Sequence, residues 1–187
     1  MRNKHYKNIH HSQLTIHQMN YFQLYEIPVS FVIDALLIKK KFYELSRKYH
    51  PDFFSNATDE EQNDVLEKSS LINKAFKVFS NTDETIKYVL QLKGLLEEEE
   101  KYQLPSDFLM EVIELNEALM DAKMEGDANK TSNLKSQISQ LQTNIYEPVK
   151  AIVEHYQENN STEKELLQVK EYYYKKKYLN RILAGLN

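Results

Sequence analysis

The chain has no cysteine and no tryptophan, and its 187 residues include only 3 glycines and 4 prolines. Each shortage excludes something. Without cysteine there is no disulfide framework and no thiolate to ligate a metal or a cluster. So few glycines and prolines argue for helices with few turns and leave no glycine-rich loop to cradle a phosphate. No stretch approaches the run of about eighteen apolar residues that a membrane span requires. A net charge of −4 gives no general attraction to nucleic acid or to an anionic membrane. What is present is a 41% hydrophobic fraction and 13 tyrosines. That suffices for a core, in one domain or two small ones.

Residues 1–18 differ from the rest. They carry Arg2, Lys4 and Lys7, no acid, and four histidines at His5, His10, His11 and His17. There is no apolar run for a secretory signal, and arginine and serine are scarce for a mitochondrial presequence. The histidine spacing does not fix a metal geometry, so this stretch reads as a disordered tail and no metal site is assigned.

The most informative feature is His50-Pro51-Asp52. Proline disfavours the α region for the residue before it, so a helix running into Tyr49 stops near His50. The proline ring fixes its own φ, and aspartate hydrogen-bonds readily to nearby backbone in a turn. The expectation is a short rigid loop presenting an imidazole and a carboxylate to solvent. On its own the tripeptide reads more readily as an ordinary helix-ending turn, so its flanks decide. Before it, Ile38, Phe42, Leu45 and Tyr49 form one apolar helical stripe, with Asp34 as N-cap. The other faces carry Lys39, Lys40, Lys41, Arg47 and Lys48, opposed only by Glu44. After it, Thr58 and Glu61 form a capping box, and Val65, Ser69, Ile72, Phe76 and Phe79 continue at helical spacing. Two such stripes joined by a loop of about ten residues imply an antiparallel helix pair with the tripeptide at one end.

This arrangement resembles a J-domain. Met19 to Pro28 looks like its opening, a short aromatic helix ending at proline, and Asp83 to Gly94 looks like its fourth helix. The resemblance sharpens to the HscB (Jac-type) co-chaperones of iron–sulfur cluster assembly. Phe42 to Asp52, Ser69 to Phe76 and Phe108-Leu109-Met110-Glu111 carry it, strongly up to about Asp121 and by pattern beyond. The chain departs from many members in having Phe53-Phe54 where a lysine follows the tripeptide, and Lys87 near a common arginine. The organisation expected is all-α: residues 1–18 a tail, 19–94 a J-domain, 95–104 an acidic linker and 105–187 a C-terminal three-helix bundle.

The linker holds Glu97-Glu98-Glu99-Glu100-Lys101, which reads as solvated. In the helix expected over 106–125, Phe108, Val112, Leu115, Leu119 and Ala122 fall on one core stripe. Leu109, Met110, Ile113 and Met120 lie off it among Glu114, Glu117 and Asp121. A wider core or contact with the N-terminal module is one reading; an apolar patch rimmed with acid, as at a partner site, is the other. After a break at Gly126, the stripe Leu134, Ile138, Leu141, Ile145, Val149, Ile152, Tyr156 predicts a long helix kinked or broken at Pro148. A turn at 158–161 and a capping box of Thr162 with Glu165 open the last helix, with Leu166, Val169, Tyr173, Leu179 and Ile182 inward. Lys175-Lys176-Lys177 reads as a solvated face and His155 as a surface or groove residue.

No convergent catalytic groups emerge. There is no paired-histidine metal motif, and an exposed His50 with Asp52 has neither a third group nor water exclusion, so the chain reads as a non-enzyme without a cofactor. The resemblance implies two partners. His50, Pro51, Asp52 and the basic residues Lys39, Lys40, Lys41, Arg47 and Lys48 would meet a DnaK/HscA-type heat-shock 70 kDa chaperone and stimulate its ATPase. Leu109, Met110, Ile113, Glu114, Glu117 and Asp121, with Tyr174 as the aromatic of the last helix, would bind the iron–sulfur cluster scaffold protein. The implied setting is a bacterial cytoplasm or, alternatively, a mitochondrial matrix. A J-domain protein with another client and a helical adaptor in which the tripeptide is only a turn stay open at this point.

Overall fold

The computed structural model describes residues 19–184, so the histidine-bearing stretch 1–18 lies outside the described residues. The elements of the described chain are helices: α1 Tyr21–Leu24, α2 Ala35–Lys48, α3 Asp59–Phe79, α4 Thr82–Leu92, α5 Ser106–Met124, α6 Ala128–Glu154 and α7 Glu163–Ala184. A 3-10 turn, Pro51–Phe54, lies between α2 and α3. Two compact units are present. Of the described residues, one unit holds 19–28 with Leu36–Phe76; the other holds Val29–Ala35 with 77–184.

The first unit is built on local capping and a small aromatic core. Asn20 caps α1 reciprocally with Gln23. Glu26 at φ 50° then closes the helix, its neighbour Ile27 donating back to the Phe22 carbonyl at 3.0 Å. Phe22 and Tyr25 are thereby buried, and the Tyr25 hydroxyl donates to the Ile72 carbonyl at 2.8 Å. Burial drives the Tyr25 hydroxyl pKa far upward, so it stays a donor. Phe42 stacks on Phe76 at 4.2 Å, while Lys68 lies 5.1 Å from the Tyr49 ring. As one helix advances the other retreats, so α2 and α3 are antiparallel, as their stripes predict. Ile38, Val65, Ile72 and Ala75 are buried along this seam.

The second unit is the helical bundle. Phe108, Val112, Leu119 and Ala122 of α5 meet Leu134, Ile138 and Leu141 of α6 and Leu179 of α7. Gly126 at φ +69° ends α5, letting Asp127 donate to the Ala122 carbonyl at 3.0 Å. Gly94 does the same for α4. α6 runs unbroken through Pro148, which removes the break from the two expectations of a kink or a break. The missing amide costs one bond to Asn144, and buried Val149 and Val153 hold the turns that follow. α4 also belongs to this unit and packs against α7. Lys176 pairs with Asp83, and Asn180 donates to the same carboxylate at 3.2 Å.

Two runs that read as solvated are tied into the bundle. Leu96 is buried, and Glu100 accepts from Lys170 of α7. That bond holds the Glu100 carboxyl below the usual carboxylate range, outweighing the effect of burial. In the lysine run only Lys177 is exposed: Lys175 pairs with Glu171 at 2.7 Å and Lys176 with Asp83. Burial acts to lower the Lys176 pKa, but the bond to Asp83 and the neighbouring Tyr172 carry it above the usual lysine value. Charge runs announce solvation only until a distant partner of opposite sign arrives. His155 is exposed, in agreement with its reading as a surface or groove residue.

Candidate functional site: a displayed turn and an exposed helix face

At the first candidate, α2 ends at Lys48 and His50 adopts φ −75°, ψ 126°. This is the extended backbone that a residue before proline is forced toward. Pro51 opens the 3-10 turn, and Phe53 donates to the His50 carbonyl at 3.1 Å. Nδ1 of His50 accepts the Asp52 amide at 3.3 Å, and the Asp52 carboxylate lies 3.6 Å from the same nitrogen. The Asp52 side chain is 84% exposed, and the Phe53 ring sits 5.7 Å from the imidazole. The expected loop is therefore a hydrogen-bonded turn with its imidazole oriented and its carboxylate free to meet a cation.

The basic residues divide. Lys39, Lys40, Arg47 and Lys48 are exposed, Lys40 lying 4.0 Å from Glu44. Lys41 is half-buried and 3.9 Å from Glu26, a carboxylate that the α2 pattern alone could not supply. The exposed cations outnumber the acid on α2 and form a positive local surface.

At the second candidate, α5 turns Phe108, Val112, Leu119 and Ala122 inward. Its outer side carries Met110 at 63% exposure, Ile113 at 46% and Met120 at 58%, with Glu114, Glu117 and Asp121 exposed beside them. Leu109 is half-buried. The sequence reading missed Met124, 87% exposed; its four-residue step from Met120 was the available signal. Tyr174 is half-buried, stacked on Tyr102 at 4.4 Å, with its hydroxyl 3.4 Å from Glu100. Burial, then the Glu100 charge, pushes its pKa up to about 12. These contacts engage Tyr174 with residues preceding α5 rather than with the exposed α5 side chains, a partnership that helical spacing does not reveal.

Among the described residues no group of three or more histidines and carboxylates is placed to hold a metal ion. No described helix is long and apolar enough to cross a membrane.

Comparison with known proteins joins the two halves. Residues 20–88 match the DnaJ domain, and residues 104–187 match the HSCB C-terminal oligomerisation domain. The human co-chaperone protein HscB superposes with a TM-score of 0.72 at 25% identity, covering 90% of this chain and 80% of that one. The chaperone HscB from Vibrio cholerae shares the fold at TM-score 0.64 and 22% identity, covering 89% of this chain and 97% of that one. Fold and turn together define a J-domain protein carrying a helical C-terminal domain.

Co-chaperone protein HscB of Buchnera aphidicola subsp. Acyrthosiphon pisum is 37% identical over 123 residues, 65% of this chain and 71% of the relative. Co-chaperone protein HscB of Proteus mirabilis is 31% identical over 131 residues, 69% of this chain and 76% of the relative. The chain belongs to the HscB co-chaperone family.

Proposed function

We propose that this co-chaperone stimulates the ATPase of a DnaK/HscA-type chaperone and delivers the iron–sulfur cluster scaffold protein to it. The observation that carries the reading is the His50-Pro51-Asp52 turn, displayed at the end of a basic helix with its carboxylate in the open. Residues 19–94 would switch the chaperone, 95–104 connect, and 105–187 hold the client. The exposed cations of α2 steer α2 onto an acidic partner surface, a contribution to encounter that weakens with salt. Asp52 pairs with an arginine of the chaperone, while Pro51 and the bond to His50 keep the carboxylate in register. The hydrolysis itself belongs to the partner. This chain biases the partner's conformational equilibrium by binding one of its states better. Holding chaperone and client on one chain makes the second encounter effectively intramolecular. The relatives named above include bacterial proteins, which supports a bacterial cytoplasm as the setting.

Two measurements test this. His50→Gln should abolish stimulation of single-turnover ATP hydrolysis by the chaperone; stimulation equal to wild type would refute the J-domain mechanism. Leu109→Ala/Met110→Ala/Ile113→Ala should lose scaffold protein in a pull-down. Retained capture would move the client site away from α5.

A further inference from the structure

The face assigned to the scaffold ends at Asp121, but the exposed apolar surface of α5 does not. Met110, Ile113, Met120 and Met124 are all exposed. At about 100° per residue they fall within a sector of about 80°, and the band they form runs about 21 Å along the helix. Glu114, Glu117 and Asp121 form a second band, its centre displaced by about 60° around the axis. Scattered apolar residues on a surface need no explanation, whereas four on one side of a single helix, as two pairs separated by Glu117, do. Three of the four are methionines, whose unbranched side chains adapt to an irregular partner surface.

We propose that Met120 and Met124 are part of the client surface, which therefore continues one turn past Asp121. The occupant is a face of the scaffold protein with an apolar ridge and a row of lysine or arginine along one side of that ridge. This rests on the reading of α5 as the scaffold-binding helix. The charge of the acidic band selects the basic row, and the parallel course of the two bands fixes orientation. A client docked end for end would lay its cations over the methionines and its ridge over the carboxylates, so the wrong orientation is penalised twice.

The test is calorimetric titration of the full chain with the scaffold protein from the same genome, at low and high salt. Met120→Ala/Met124→Ala should weaken binding about tenfold at both salt concentrations, as loss of an apolar contact does. Glu117→Gln/Asp121→Asn should weaken it chiefly at low salt and so flatten the salt dependence. If the methionine pair binds like wild type while Leu109→Ala/Met110→Ala/Ile113→Ala does not bind, the extension is wrong and the scaffold face stands. Should the triple variant also bind normally, the underlying reading fails first. Sedimentation showing a dimer of the free chain that Met120→Ala/Met124→Ala dissolves would assign the stripe to a second copy and overturn the scaffold as its occupant.

Discussion

The turn at His50 and the bundle that carries the α5 face are held in opposite ways. Around the turn, the bonds are local: Asp52 to His50, Phe53 to His50, Ala57 to Phe54. In the bundle, the polar ties bridge long stretches of chain: Lys93 to Glu158 at 2.6 Å, Lys170 to Glu100, Lys176 to Asp83. The surfaces differ accordingly. The turn offers an imidazole and a carboxylate on short-range scaffolding. The α5 face offers apolar side chains on a helix whose other side is core. A signal can be written in three residues, whereas a docking surface needs a whole folded unit behind it.

That contrast can be broken by measurement. The largest effect belongs to the core: Leu119→Ala, at a fully buried site, should cost about 2–5 kcal/mol in urea unfolding. Met110→Ala on the opposite side of the same helix should stay within about 0.5 kcal/mol; equal costs would mean that α5 has no spare face. Next is the distant ion pair. A double-mutant cycle on Lys176→Ala and Asp83→Ala should return a coupling of about 1 kcal/mol, because both side chains are only partly exposed. Zero coupling would remove long-range charge from the account of the bundle.

A smaller effect is pH-dependent. The Glu100 carboxyl is held below its ordinary value of 4.5, so its contribution is complete above that value and is lost as pH falls through the lowered folded value. Glu100→Gln should therefore be less stable than wild type at neutral pH by under about 1 kcal/mol, with the gap closing in acid. A constant gap across the titration would show that shape rather than charge is being removed. Smallest of all, His50→Gln should leave unfolding within about 0.5 kcal/mol of wild type, since its side chain supports only its own turn. A large loss would show that the turn is structural.

What could be read from the sequence follows the same division. Thr58 with Glu61 and Thr162 with Glu165 form the reciprocal caps expected of them, because each box closes over three residues. The helical stripes place Ile38, Ile72, Val112, Ile138 and Val169 inside. What was illegible depends on who arrives from far along the chain. Lys176 sits in a run of three lysines and Glu100 in a run of four glutamates, and neither run names a partner. Tyr174 could be placed on α7 but not against Tyr102. Pro148 suggests a kink or a break because one lost hydrogen bond is visible in sequence, whereas the packing of Val149 and Val153 that retains the helix is not.

The bond from the Asp52 amide to Nδ1 of His50 carries a consequence for whatever surface meets the turn. A neutral imidazole has one nitrogen that accepts and one that donates. Here the acceptor is already spent on the chain's own backbone, so in the neutral ring it is Nε2 that is left to donate. Outwardly this histidine can only give a hydrogen bond, while the carboxylate two residues on can only receive one. The turn is thus a plug with two unlike pins, and its socket must offer an oxygen to one and a cation to the other.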